Sequence, residues 1–305
     1  MLVGMEYNPT HLLLQKHHST LPMRPLLIGC FFCVCAALAA LSISQTKLEA
    51  QPAIISNIRP TQRILIATML TDSADDYGRG AVALIRSIKA RTLTETDFRL
   101  LELDTKPILN TTLRHLLQKE GWTLTTVQRI PPRPQAPPPY ERFADQFTKL
   151  HIWNLVQYDR VLYLDSDCLA VGSLDAVLSI PIRPTELWAT RDIIGGRWTD
   201  GFNMGVFMVQ PSAREFQRLM RDKDDPAIEY GYSMAEQGFL NVVYRRRWRD
   251  FGFRNNANLA AYLHDPVLWG RKAQMGLNVI HYTLSKPWAC SEPFRAVCGL
   301  WDGVV

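Results

Sequence analysis

Two carboxylates, Asp165 and Asp167, have the residue type and spacing best suited to chemistry in this chain. They directly follow residues 161–164, an apolar run typical of a strand that is buried on both faces. Acidic side chains one residue apart at the end of a strand can converge on one divalent cation, and oxygen ligands suit Mg²⁺ or Mn²⁺. A cation in that place can bridge a diphosphate and neutralise it as a leaving group. The pair therefore predicts a metal site for diphosphate chemistry.

Two other interpretations of Asp165 and Asp167 stay open at this point. Acidic pairs at strand ends are common, and the pair can simply cap the following turn. Phosphatases of the haloacid dehalogenase type also place a nucleophilic Asp and a second Asp after a buried strand. That motif wants Thr or Val two residues beyond the second Asp, where this chain has Leu169, and it normally lies on the first strand.

The elements that must position the pair alternate between strands and helices. Buried strands are predicted at 64–70, 98–103, 122–130 and 161–164, with helices at 80–90, 113–120 and 142–158. The proline-rich run 131–139 can be neither a helix nor a central strand and is predicted to be a loop. This alternation predicts an α/β fold with a doubly wound, mostly parallel sheet. Ligands bind beyond the carboxyl ends of the strands in such sheets, which is where the acidic pair is expected.

The N-terminal residues predict a membrane anchor. Residues 26–43 are uncharged and apolar apart from Ser42, and this is long enough for one spanning helix. Basic residues precede the run, so the N-terminus is expected on the cytoplasmic side. We therefore expect a cytoplasmic tail at 1–25, a transmembrane signal anchor at 26–44, a stem at 45–60 and a lumenal domain at 61–305. A cleaved signal peptide is the alternative, although its apolar region is usually only about 7–15 residues long.

Composition and charge narrow the class of protein. The 305 residues are 47% hydrophobic and 21% charged, with a net charge of +5, so the chain can bury a sizeable core and is not disordered. The densest basic cluster, at 245–249, is interpreted as a solvated face, and no nucleic-acid-binding module is recognised. The cysteines of the main domain lack zinc-site spacing, and a disulfide between Cys290 and Cys298 is left open.

Short motifs before and after the acidic pair resemble those of one enzyme family. They are, in order, Phe147-Thr148-Lys149-Leu150, Phe202-Asn203-Met204-Gly205-Val206-Phe207, Glu236-Gln237-Gly238-Phe239-Leu240-Asn241, His281-Tyr282 and Lys286-Pro287-Trp288. The set resembles glycosyltransferase family 8, the glycogenin-like transferases, over about residues 61–290. The resemblance implies a GT-A fold, which is a Rossmann-like, mostly parallel mixed sheet flanked by helices. It also implies a UDP-sugar donor, Mn²⁺ with Mg²⁺ as a substitute, and transfer with retention of anomeric configuration.

The resemblance further implies a role for individual residues. The metal ligands are Asp165, Asp167 and His281. The residues at the reacting bond are Glu236 and Gln237 beside the anomeric carbon and Lys286 at the diphosphate. The remaining donor-binding residues are Thr68, Leu70 and Tyr77 at the uridine, Arg142, Lys149 and Ser166 facing the donor, and Asn203 at the sugar.

Four positions depart from the family pattern. Glu236 stands where the family has Asp, Ser233 where glycogenin has a further Asp, Met204 where the family has Ser, and Leu284 where it has Gly. All four lie around the transferred sugar and phosphate, so the donor sugar is left undetermined.

The departures also keep a second class of function open, in which the chain is a catalytically silent, glycosyltransferase-like membrane scaffold. With the predicted anchor, the resemblance implies instead a single-pass type II enzyme of the Golgi or ER membrane. Its partners would be a nucleotide sugar, a glycan or glycoconjugate acceptor and the membrane. Nucleic acid is not expected, and a homodimer is left open.

Overall fold

The computed structural model describes residues 62–71, 75–105, 109–134 and 136–304. The tail, transmembrane anchor and stem predicted at 1–25, 26–44 and 45–60 lie outside the described residues. Within the described ranges, no helix combines the length and apolar character needed to cross a bilayer.

Among the described residues, seven strands form the central sheet and three form a smaller one. The central strands are β1 (Ile64–Leu70), β2 (Asp97–Leu103), β3 (Thr123–Val127), β4 (Arg160–Leu164), β6 (Leu187–Ile194), β7 (Arg197–Val209) and β8 (Trp248–Asp250). Their order is β3-β2-β1-β4-β7-β6-β8. β7 runs antiparallel to both of its neighbours, and the other pairs are parallel. The predicted mostly parallel α/β sheet is confirmed.

The smaller sheet consists of β5 (Cys168–Ala170), β9 (Ala257–Asn258) and β10 (Val279–His281) in the order β5-β10-β9. β5 begins directly after Asp167, and its Cys168 is paired with His281 of β10. His281 is paired on its other side with Asn258 of β9. The small sheet therefore brings residues near the end of the chain beside the acidic pair.

Eight helices cover the two sheets within the described residues. They are α1 (Asp75–Lys89), α2 (Thr111–Glu120), α3 (Asp175–Leu178), α4 (Ala213–Asp224), α5 (Ala235–Val243), α6 (Leu259–His264), α7 (Pro266–Gln274) and α8 (Arg295–Asp302). α1 buries a continuous apolar face against β1 and α2. β1 and β4 are buried along their whole length because the core lies on both faces of the sheet.

One predicted element has a different geometry. The α-helix expected at 142–158 is wrong, and two 3₁₀ segments, Glu141–Phe143 and Gln146–Asn154, stand in its place. The apolar residues Phe147, Leu150 and Trp153 recur at every third position, which matches three residues per turn rather than 3.6. All three side chains are fully buried against the sheet. The other predicted strands and helices are present, with ends that differ by a few residues.

Candidate active site

The acidic pair lies at the predicted edge of the sheet, just beyond the carboxyl end of β4. The neighbouring strand β7 runs in the opposite direction and brings Gly205 alongside, where its carbonyl accepts a hydrogen bond from the Asp165 N–H at 2.7 Å. The pair follows the fourth of the described strands and not the first, which departs from the phosphatase pattern.

The three predicted metal ligands converge at this edge. His281 Nε2 lies 3.3 Å from Asp167 Oδ1 and 3.8 Å from Asp165 Oδ2. Ligand atoms of Asp167, Cys168 and His281 also lie within 4.8 Å of one another, and all three residues are buried. Two carboxylates and an imidazole form a donor set that fits Mn²⁺. The residues present therefore suit the cation that the resemblance implies.

The close approach of the His281 ring explains why a glycine, Gly205, follows Asn203-Met204. A Cβ atom built on Gly205 would lie 1.9 Å from Cε1 of the His281 ring, far inside van der Waals contact. The strand backbone and the imidazole can approach this closely only because position 205 carries no side chain.

Lys286 faces the same carboxylates from the segment that follows β10. Its Nζ donates to Asp167 Oδ2 and, at 2.7 Å, to the carbonyl of Tyr282. Burial alone would lower the pKa of Lys286, but Asp167 outweighs it and raises the pKa above its ordinary value. Burial alone would raise the pKa of Asp167, but the ammonium of Lys286 outweighs it and holds the pKa well below its ordinary value. Both groups are therefore charged at neutral pH.

Lys149 lies between Asp165 and Glu236 and pairs with both. Its Nζ lies 3.0 Å from Asp165 Oδ1 and 3.2 Å from Glu236 Oε1. Burial opposes its charge, yet the two carboxylates prevail and raise the pKa of Lys149 above its ordinary value. The same Asp165 oxygen accepts a hydrogen bond from the Tyr163 hydroxyl at 2.9 Å. A buried ammonium thus lies between two carboxylates that would otherwise repel each other and offsets part of their charge.

Glu236 lies in the first turn of α5 and points into the protein, with only 3% of its surface exposed. Burial raises the pKa of Glu236 above its ordinary value, and Lys149 acts in the opposite direction. The preceding Ala235 has a φ of 47°, a region that non-glycine residues rarely adopt. The strained residue stands where the chain turns to begin α5 with Glu236 inward.

Asp192, near the end of β6, was not among the sequence predictions. It is buried and accepts hydrogen bonds from Gln237 Nε2 at 2.9 Å and Asn203 Nδ2 at 3.4 Å. Gln237 Oε1 in turn accepts from the Met204 N–H at 3.0 Å. Asp192 lies at a register shift between β6 and β7 and directly follows Thr190 and Arg191, so the local sequence carries no signal that singles it out. The predicted sugar residues Asn203 and Gln237 therefore share a third, acidic partner.

The residues predicted at the nucleotide differ from one another in burial and in contacts. Thr68 and Leu70 are buried at the end of β1, next to β4. The ring of Tyr77 packs edge-on against Trp288, 5.1 Å between centroids. Arg142 is exposed and its guanidinium lies over the ring of Phe143.

Ser166 is buried, and its carbonyl closely approaches α1. A Cβ atom on Gly80 would lie 2.4 Å from this oxygen and 3.0 Å from the Trp288 ring, so the glycine allows both to pack on the helix. Trp288 lies two residues before Cys290, which forms a disulfide with Cys298, the pairing left open from the sequence. That disulfide links the segment after Lys286 to α8.

Known proteins resemble the chain in sequence and in fold. Residues 72–291 match the family model described as glycosyl transferase family 8. The chain is 30% identical to UDP-glucuronate:xylan alpha-glucuronosyltransferase 1 of Arabidopsis thaliana, over 76% of this chain and 33% of that protein. It is 28% identical to glycogenin-1 of Oryctolagus cuniculus, over 70% of this chain and 62% of that protein.

A crystal structure of the galactosyltransferase LgtC with donor and acceptor sugar analogs superposes with a TM-score of 0.52 at 18% identity, over 78% of this chain and 95% of that one. This likeness shows the fold alone, and the GT-A fold implied by the motifs is confirmed. The chain spans 33 to 38% of the length of three xylan glucuronosyltransferases from Arabidopsis thaliana that it matches.

Proposed function

The chain belongs to glycosyltransferase family 8, and on that premise we propose that it transfers a sugar from a UDP-sugar to a glycan or glycoconjugate acceptor, with Mn²⁺ and with retention. The observation that carries the proposal is the convergence of Asp165, Asp167 and His281 with the ammonium of Lys286 at the carboxyl edge of the sheet. Two anionic ligands, an imidazole and a cation form a complete set for holding a metal and a diphosphate.

The diphosphate end of the proposed reaction is electrostatic. Asp165, Asp167 and His281 would hold the Mn²⁺, which when bound supplies positive charge to the leaving diphosphate. Lys286 adds a second positive charge that is already desolvated and oriented by the Tyr282 carbonyl. Such preorganised charges stabilise a departing phosphate more than mobile water does.

The sugar end of the proposed reaction is built from side chains that both donate and accept hydrogen bonds. Asp192, Asn203 and Gln237 form a hydrogen-bonded group whose oxygens can exchange partners with sugar hydroxyls. Glu236 offers a further carboxylate, which Lys149 bridges to Asp165. Retention can follow from attack on the same face as the leaving group or from double displacement with Glu236 as nucleophile, and both routes use these residues.

The proposal is tested by donor binding and hydrolysis. Purified protein would be screened by thermal shift against UDP-sugars with and without Mn²⁺, followed by release of UDP from the best donor. We expect stabilisation and UDP release that both require Mn²⁺, and their loss in Asp167→Ala with the fold retained. Asp222→Ala, which removes an acid paired with Arg218 on α4, is the matched control and should behave as wild type.

Two results would contradict the proposal. Mn²⁺-dependent UDP release that survives in Asp167→Ala would refute the metal assignment. A wild-type protein that binds no UDP-sugar under any condition would favour the catalytically silent scaffold instead.

A further inference from the structure

A chain of hydrogen bonds with one fixed polarity runs from the strand β7 to the metal end of the site. It begins at the backbone N–H of Gly205, which donates to Asn203 Oδ1 at 2.9 Å. A backbone N–H can only donate, so the atom of Asn203 that faces it must be the carbonyl oxygen and not the amide nitrogen. The orientation of the Asn203 side chain is therefore determined by the backbone.

The next link is Asn256, which is fully buried between β8 and β9. One end of its amide lies 3.0 Å from Asn203 Oδ1. Because that oxygen can only accept, the end of Asn256 that faces it must be Nδ2. The opposite end is then Oδ1, and it lies 3.1 Å from Nδ1 of His281.

The last link determines which nitrogen of His281 carries hydrogen. A carbonyl oxygen cannot donate, so a hydrogen bond to it requires a proton on Nδ1. In the neutral ring, Nε2 then carries the lone pair. Nε2 is the atom that faces Asp167 Oδ1 at 3.3 Å and Asp165 Oδ2 at 3.8 Å. The lone pair is thus directed to the place where the proposed function puts Mn²⁺.

We propose that Asn256 is a positioning residue that holds His281 in the Nδ1–H tautomer, so that Nε2 is available to a divalent cation. The proposal rests on the proposed function for the identity of the cation. Through the other end of its amide, Asn256 also donates to Asn203. One buried side chain therefore links the proposed metal ligand His281 to a residue proposed to bind the sugar. No member of this chain can be reversed alone, because each orientation follows from the one before it.

The geometry of β9 shows why this residue can act on His281. β9 and β10 are parallel neighbours, and Asn258 is the direct partner of His281. Asn256 lies two positions earlier, just before β9, and reaches the far side of the ring from the carboxylates. Gly205 packs against the same ring, so the imidazole is held both by contact and by a hydrogen bond.

The test uses the full chain and two readouts that do not depend on turnover. Nitrogen-15 NMR of the metal-free protein labelled at histidine, recorded at alkaline pH, reports the tautomer of the neutral ring, with His281→Gln used to assign its signals. Titration with Mn²⁺ alone, followed by electron paramagnetic resonance, reports metal affinity. We expect the Nδ1–H tautomer in the wild type. We expect its loss in Asn256→Ala, with Mn²⁺ affinity reduced by about 10- to 100-fold, the usual cost of removing a partner of a metal-bound histidine.

Two further variants separate positioning from folding. Asn256→Asp keeps an acceptor for Nδ1–H but no donor for Asn203, so it should retain the tautomer and the Mn²⁺ affinity while donor turnover falls. Asn255→Ala removes the neighbouring amide, which bonds Asn278 and not the site, and should leave both readouts at wild-type values.

The inference is overturned if metal-free wild type shows the Nε2–H tautomer. It is also overturned if folded Asn256→Ala binds Mn²⁺ as wild type does, or if Asn256→Asp loses the tautomer. A wild-type protein that fails to bind Mn²⁺ would refute the metal in the proposed function, and the NMR result would still decide the role of Asn256.

Discussion

At the scale of single residues, the charged side chains around the acidic pair are buried or partly buried and form ion pairs. Glu236, Lys149 and Asp165 alternate in sign, and so do Lys286 and Asp167. Buried charges cost several kcal/mol each unless they are paired, so removing one member leaves another uncompensated. Conservative substitutions that keep shape are therefore the informative ones here.

Glu236→Gln keeps the shape and removes one charge. We expect kcat to fall by about 10²-fold or more, near 3 kcal/mol, because a carboxylate beside the anomeric carbon stabilises positive charge that develops only in the transition state. The donor Kd should change little. Steady-state kinetics, donor titration and melting temperature would be compared with Glu229→Gln, an exposed acid that precedes α5.

The competing outcome for this variant is equally specific. If Glu236 only favours the start of α5, its replacement should cost about 0.3–1 kcal/mol of stability and almost no rate. A near-wild-type kcat with a slightly lower melting temperature would remove Glu236 from the reaction.

The sequence could predict residues that belong to short contiguous motifs, and Asp165, Asp167, His281 and Lys286 do meet in space. It could not predict Asp192 or Asn256, which stand alone in the sequence. Their identity as site residues depends on hydrogen bonds to Gln237 and His281, 45 and 25 positions away. Pairings of that range are set by strand register, which no local pattern encodes.

At the scale of elements, α8 packs against the segment that carries Lys286 and holds it in place. The Tyr282 hydroxyl donates to the Val297 carbonyl at 2.9 Å, and the rings of Trp288 and Trp301 pack 6.0 Å apart. The disulfide Cys290–Cys298 closes the same unit covalently. Because Trp288 also packs on Tyr77, these contacts extend to a residue predicted at the nucleotide.

Removing the disulfide should weaken the contacts between α8 and the segment that carries Lys286. In Cys290→Ser/Cys298→Ser we expect weaker UDP binding by several-fold together with a stability loss of about 2–3 kcal/mol, the scale for opening so short a loop. Titration with UDP and Mn²⁺, paired with chemical denaturation, measures both. Wild type treated with a reductant should show the same UDP affinity and stability as the variant. An unchanged UDP affinity in the folded variant would show that the disulfide contributes to stability alone.

At the scale of the whole molecule, a second charged cluster lies at the opposite edge of the sheet from the site. Glu215 on α4 accepts hydrogen bonds from Arg218, from the Tyr244 hydroxyl at 2.7 Å and from Arg247 at 3.2 Å. Arg247 also bonds the Thr185 carbonyl, just before β6 begins. Burial alone would raise the pKa of Glu215, but Arg218 and Tyr244 outweigh it and hold the pKa below its ordinary value.

Glu215→Gln should therefore affect stability without affecting the site. A carboxyl with a lowered folded-state pKa stabilises the protein above its ordinary pKa of 4.5, and this contribution is lost as the pH falls through the folded-state value. We expect the variant to be less stable by about 1–3 kcal/mol at neutral pH, with the difference shrinking in acid. Denaturation at several pH values measures this, and Mn²⁺ affinity should match wild type. A difference that is the same at pH 7 and well below pH 4.5 would contradict the assignment.

The overall architecture was predictable because alternating apolar strands and helices are long enough to show their periods. The antiparallel direction of β7 and the existence of the small sheet could not be predicted from these periods. Strands of two or three residues, such as β9 and β10, carry no periodic signal, and their pairing is decided by contacts made after the large sheet has formed.

The placement of the cationic partners also sets an order of assembly during synthesis. Asp167 emerges from the ribosome 119 residues before Lys286, while β1 to β4 and α1 can already pair and pack. Until residues 281–286 have been released, the nascent chain holds an acidic edge that lacks His281 and Lys286. Contacts of such long range form late, so the catalytic edge is the last cooperative unit to close. A divalent cation bound at that moment would act as a folding ligand, and translation that stops short of β10 would yield a sheet with no site.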